Sequence, residues 1–169
     1  MTHKGGRQNG NAIIEMTLVG IPLIFVLIST VEVARGMWIY HTLAYALREG
    51  TRYAIVHGVD CSTPPNNCAV KVRDIAAVIE NAAVGLYDTD SFHIEMKSSA
   101  DDVSGTLTSA LANTTLFPSA AGGAIGAPIT FSATYPFQSA IAMFWPGAGP
   151  GTNFTSVIFP ASSEENIQF

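Results

Sequence analysis

From Met16 to Val31 the chain carries no ionisable side chain, and extending the run back to Ala12 adds only Glu15. As a helix of about 20 residues it is roughly 30 Å long, which matches the hydrocarbon core of a bilayer. This run constrains the fold more than any other feature. It predicts a single membrane span near the N-terminus, with the remaining mass on one side. Lys4 and Arg7 precede it. The positive-inside rule therefore holds Met1 to Gly10 in the cytoplasm and sends everything after Glu32 outside. Cleavage as an ordinary secretory signal fits poorly. "VEVARG" follows the run where small neutral residues are needed, and the nearest A-x-A, Ala44-Tyr45-Ala46, lies beyond those charges.

The helical period continues past the membrane boundary. Met37, Tyr40, Ala44, Leu47 and Ala54 can share one face. Glu32 and Arg35 are spaced i, i+3, as are Glu49 and Arg52, so each pair can close an ion pair worth tenths of a kcal/mol. Trp38 and Tyr40 suit the interfacial belt. Ala34, Gly36, Ala44, Ala46, Gly50 and Ala54 are small and would let another element approach closely. Two readings are open here: a stalk helix with one face buried in its own domain, or a surface for a partner. Pro22 lacks an N–H and crowds the carbonyl of Leu18, so a kink or local unwinding is expected, either as a plain kink or as a hinge. Gly58 and then Pro64-Pro65 mark the end of the helix.

Beyond it the composition becomes that of a small, mildly acidic domain. Cys61 and Cys68 are the only cysteines, at the two ends of a turn-rich loop. In an oxidising exterior the simplest outcome is a disulfide, worth about 2.5 kcal/mol by chain entropy. The competing reading, a metal site with His57, matches no strong zinc spacing. "VKVRDIAAVIENAAVGL" predicts an amphipathic helix with Val72, Ile75, Ala76, Ile79 and Ala83 inward and a stop at Gly85. "SFHIEMK" and "PITFSATYPF" alternate as half-buried strands, and "NFTSVIF" is a third candidate. Residues 98–127 are expected to be a loop with a short helix. The fold class is thus α+β: a long N-terminal transmembrane and stalk helix, then a small domain with a second helix packed on an antiparallel sheet. The expected divisions are a leader at 1–10, the helix at 11–57 and an extracytoplasmic domain at 58–169.

Catalytic chemistry finds no constellation. "PGAGPGT" lacks the strand, helix and lysine of a phosphate cradle, and Pro150 removes an N–H it would need. His3, His41, His57 and His93 are scattered, and no nucleophile elbow occurs. A net charge of -5 with no basic stripe argues against nucleic acid. No cofactor or metal is expected.

The segment "GNAIIEMTLVGIPLIFVLISTVEVARGMWIYHTLAYALREGTRYAIVHG" resembles the N-terminal region of the TadE-like proteins, pseudopilin-type components of bacterial tight-adherence (Flp-type) pili. The likeness rests on Gly10, Glu15, Pro22, Glu32 with Arg35, and Leu47-Arg48-Glu49-Gly50-Thr51-Arg52. "ITFSATYPF" is similar to a late strand of the family. The resemblance implies a pilin-like fold and a non-enzymatic minor pilin or pseudopilin in the bacterial inner membrane, acting in pilus assembly and cell adhesion. Its implied partners are the lipid bilayer, a prepilin peptidase, other pilins and the assembly platform. It also implies a prepilin-type cut after Gly10, which would make Asn11 the new N-terminus. Met16 stands where such sites often have tyrosine. The new ammonium would lie one helical turn from Glu15, whose charge it or a neighbouring chain could neutralise; the macrodipole favours an acid there as well. The alternative for Glu15 is an acid merely seated in the interface. The alternative for the whole protein is a membrane-anchored binding domain in the cell envelope with no pilus role.

Overall fold

The structure is a computed structural model that describes residues 9–57, 70–139 and 157–168. Helix α1 spans Asn9–Val56, 48 residues without a break, and passes through Pro22. At 1.5 Å per residue it is about 72 Å long. Its two halves differ in surroundings. Large apolar side chains from Ile13 to Val33 stand exposed, and the first buried residue is Gly36. Among the described residues, α1 is the helix long and apolar enough to cross a membrane. Its length and composition are those of a single-pass anchor.

The second half of α1 is built into the core. Leu43, Ala46, Leu47, Thr51, Ala54 and Ile55 are buried, with Gly50 among them. The expected face is therefore rotated. Leu47 and Ala54 are inside and Ala44 is half-buried, whereas Met37 and Tyr40 remain exposed. The small residues decide this, because Gly36, Ala46 and Gly50 offer the stripe along which backbone and neighbouring side chains can come closest. The buried Thr51 hydroxyl donates to the Leu47 carbonyl at 2.8 Å, so its burial leaves no unpaired group.

Helix α2, Val72–Ala82, buries Val72, Ile75, Ala76 and Ile79, with Ala83 just beyond it, as the amphipathic pattern predicts. Its first amides are satisfied from outside the helix. Val72 N–H donates to the Thr115 carbonyl (2.9 Å) and Arg73 N–H to the Asn113 carbonyl (3.0 Å). The Asp74 carboxylate accepts from Lys71 N–H at 3.1 Å. Gly85, the expected stop, has φ +95°, a backbone conformation that glycine adopts without strain.

The sheet has four antiparallel strands in the order β2-β1-β3-β4: β1 His93–Lys97, β2 Asp102–Thr106, β3 Pro128–Phe137 and β4 Val157–Asn166. A short helix, α3 (Leu107–Ala112), follows β2. In β1 and β3 the alternation holds. Ile94, Met96, Ile129, Phe131, Ala133, Tyr135 and Phe137 are buried, packed on the α1–α2 side. Two elements differ from expectation. Residues 98–127 contain β2 as well as the short helix, and the last strand, expected at 153–159, runs on through 157–166, its expected start at 153–156 lying outside the described residues. Both are outer strands of the sheet and are set by pairing to a stronger neighbour. Pro160 is tolerated in β4 because an edge strand has amides that need no ladder partner. The core where helices meet sheet includes Leu43, Leu47, Ile75, Ile79, Phe92 and Phe131.

The end of the chain is tied to the end of the long helix. Gln168 N–H donates to the Ile55 carbonyl at 3.3 Å, and Ile167 exchanges backbone bonds with Gly126 and Ala127. One orphan carbonyl of the last helical turn is thereby capped by the C-terminal segment.

Candidate functional site

The residues singled out in the sequence fall into two groups along α1. Gly10, Asn11 and Glu15 lie in its first turns. Glu15 is exposed. Cys61 and Cys68 lie outside the described residues.

The second group, Glu32 to Arg52, marks where the helix leaves the apolar span and enters the domain. Arg35 is its hinge to the sheet. Its guanidinium sits 3.3 Å from the Glu32 carboxylate, lies 4.8 Å over the Phe137 ring and donates to the backbone carbonyl of Gln138. One planar cation thus engages an acid, an aromatic face and a carbonyl, which an ammonium could not match in geometry. Phe137 in turn meets Phe159 at 5.5 Å between ring centroids, and Tyr40 meets Phe159 edge-on at 6.2 Å. The ends of β3 and β4 are thereby fixed against α1 just beyond the apolar run.

One helical stretch further on, Gly50 is the point of closest approach. A Cβ added there would lie 2.5 Å from Ile79 Cγ1, 2.8 Å from Ile79 Cδ1 and 3.6 Å from Phe131. No side chain fits without displacing Ile79. Arg48 points outward and Glu49 pairs with Arg52 at 3.6 Å on the exposed side. Exposed pairs of this kind contribute at most about 1 kcal/mol. Within this motif the glycine packs, Arg35 anchors, and the charged residues around Gly50 solvate the outer face.

Elsewhere the polar groups are structural. Asp101 Oδ2 accepts from Ser98 Oγ (2.8 Å) and Ser119 N–H (2.7 Å), joining the β1–β2 turn to the segment after α3. Burial raises the Asp101 pKa, but the Ser119 and Ser98 hydrogen bonds outweigh it and leave the carboxyl below its ordinary value. Gly122 lies against this latch, since a Cβ there would be 2.2 Å from Ser98 Oγ and 2.5 Å from Asp101 Oδ2. On the open face of the sheet Glu95 and Lys97 pair at 2.6 Å; the contact lowers the acid's pKa and raises that of the amine. His57 Nδ1 lies 2.7 Å from the Tyr53 carbonyl, with its ring 4.4 Å from that of Tyr53. Among the described residues no group of three His, Cys, Asp or Glu could hold a metal ion.

Sequence spacing gives the Glu32 partner of Arg35, which the structure shows at 3.3 Å, but not its contacts on the sheet. Alternation in "PITFSATYPF" sets Phe137 on the face shared with Phe131 and Tyr135, but nothing local connects it to a cation 102 positions earlier, and Gln138 enters only through its backbone. The Asp101 latch was likewise missed, because adjacent acids in a polar loop are ordinarily solvated. The available signal was Gly122-Gly123 nearby, a pair of glycines that admits close approach.

No curated protein and no solved structure matches this chain. A family model does. It covers the whole of the apolar span and the motif through Arg52, which is the stretch whose two halves have just been described. Residues 10–52 match the TadE-like protein family.

Proposed function

We propose that this chain is a non-enzymatic minor pilin or pseudopilin that acts in assembly of a tight-adherence type IV pilus. It is held in the bacterial inner membrane by α1, with residues 1–10 cytoplasmic and the domain beyond residue 58 outside. The observation that carries this reading is the coincidence of the family match with one continuous helix. That helix is exposed and apolar in its first half and locked into a sheet domain in its second. Such an arrangement presents a lipid- or helix-facing rod and a separate outer surface on one rigid element. Its partners are then the bilayer, other pilins or pseudopilins and the assembly platform.

Processing belongs to the same proposal. A prepilin peptidase cuts after Gly10, and the new amine at Asn11 neutralises Glu15 in its own chain or across a subunit contact. Cys61 and Cys68 form a disulfide in the outer domain. The decisive experiment measures intact mass and crosslinking to partner pilins, with Gly10→Ala and Glu15→Gln in parallel. Gly10→Ala should retain the leader, whereas Glu15→Gln should mature but lose partner crosslinks. Wild-type protein that keeps Met1 to Gly10 in cells containing the peptidase would remove the processing reading. Failure of the mature chain to crosslink to any pilin would remove the assembly role.

A further inference from the structure

An apolar groove of about 660 Å³ opens where α1 leaves its span, walled by Val33, Gly36, Met37 and Tyr40 on the helix and by Phe137 and Phe159 on the strands. The chain departs from this groove and returns to it. Ser139 and Val157 both line the groove, and Phe137 and Val157 are direct partners in the β3–β4 register. The intervening residues, 140–156, therefore begin and end at one place. Their sequence, "AIAMFWPGAGPGTNFTS", contains no ionisable residue and opens with Ile141, Met143, Phe144 and Trp145.

We propose that this groove is the docking site for the chain's own segment Ile141–Trp145. Three arguments favour that occupant over a lipid or a second copy. The 140–156 stretch that contains it begins and ends at the groove wall, and Ile141 follows the lining residue Ser139 by two positions, so the segment's effective concentration there far exceeds that of a free partner. The absence of charge means that docking strands no ion away from water. Connections of this length without a role of their own are uncommon in compact domains, and an uncovered apolar pentad would be a liability. Arg35 holds the Gln138 carbonyl, two residues before the stretch begins.

The test uses the full chain in phospholipid vesicles. Met37→Cys places a thiol on the groove wall, and its labelling by a maleimide is read at the level of the peptide, so that the native cysteines do not interfere. With the native segment, labelling should be about tenfold slower than with Phe144→Ser and Trp145→Ser combined, because the thiol reacts only when the segment lifts away. Tyr45→Cys, exposed on another side of α1, should label equally in both backgrounds and so controls for general loosening. Equal rates at position 37 would overturn the proposal. A photoreactive benzoyl-phenylalanine at position 37 gives an independent readout. Its crosslink should fall within residues 140–156 of the same chain, at monomer mass. A crosslink to phospholipid, or one at dimer mass, would replace the proposed occupant.

Discussion

Filling the gap at Gly50 should test whether the helix pair is built around the missing side chain. In Gly50→Ala the new methyl lands 2.5 Å from Ile79 Cγ1 and 2.8 Å from Cδ1. Ile79 is fully buried and branched at Cβ, so it cannot swing aside freely. Overpacking of this kind costs about 1–3 kcal/mol. Alanine also removes glycine's penalty in a helix interior, a gain of about 1 kcal/mol. The net loss is about 0–2 kcal/mol, too broad a range to be decisive alone. The discriminating measurement is the sign reversal. Ile79→Ala deletes both clashing carbons at a cost of about 2–5 kcal/mol. In that background only the helix-propensity gain remains, and Gly50→Ala should stabilise by about 1 kcal/mol. Coupling between the two sites is then about 1–3 kcal/mol, roughly a 5- to 150-fold difference in hydrogen-exchange protection of α2 amides. If Gly50→Ala weakens protection equally in both backgrounds, Ile79 is not what excludes the side chain and the packing argument fails.

Three further outcomes follow from other contacts. Arg35→Lys retains the charge but not the fork and stack, and should cost about 1 kcal/mol, seen as faster exchange at the end of β3 with α2 unaffected; unchanged exchange there would mean that Arg35 anchors nothing. Asp101 has a depressed folded-state pKa, so its contribution is present above the ordinary carboxylate value of about 3.9 and is lost as pH falls through the lower folded value. Titration of its carboxyl carbon by NMR should place the midpoint below the ordinary carboxylate value, and a midpoint at that value would contradict the latch. Gly122→Ala drives a methyl into Ser98 and Asp101 and should cost about 1–3 kcal/mol in thermal or denaturant unfolding, whereas Gly126→Ala, with open space but φ +82°, should lose stability through backbone strain alone.

The elements legible in the sequence were those that carry a period of their own. Helix α2 and strand β3 bury the residues their patterns single out, since each presents one apolar face to the same core. Strand β2 has no such pattern, and β4 is legible only at its start, where Val157–Phe159 fall within the expected "NFTSVIF". "DVSGT" and "VIFPASSEEN" are largely small, polar or proline-containing, and they become strands because β1 and β3 offer them ladders. The buried face of α1 departs from the expected one for a related reason. Hydrophobic periodicity weights Met37 and Tyr40, but the domain seats itself on the narrow side of the helix, where Gly36 and Gly50 remove steric bulk. Gly50 and Arg35 were visible as parts of a motif, whereas what they touch, Ile79 and the end of β3, is fixed only by tertiary structure.

The unbroken passage of α1 from the apolar span into the core makes the sheet domain a mechanical extension of the apolar rod. Ala54 stands 23 residues beyond Val31, about 35 Å along the axis. Tilting the span by about 20°, an ordinary value for a single helix, would sweep that end sideways by roughly 12 Å. Rotation of the span about its own axis would turn the sheet through the same angle, because no loop lies between them to absorb torsion. A bilayer's thickness, or a neighbour pressing on the apolar rod, would thereby be converted into position and heading of the sheet domain, as a shaft conveys torque to a blade.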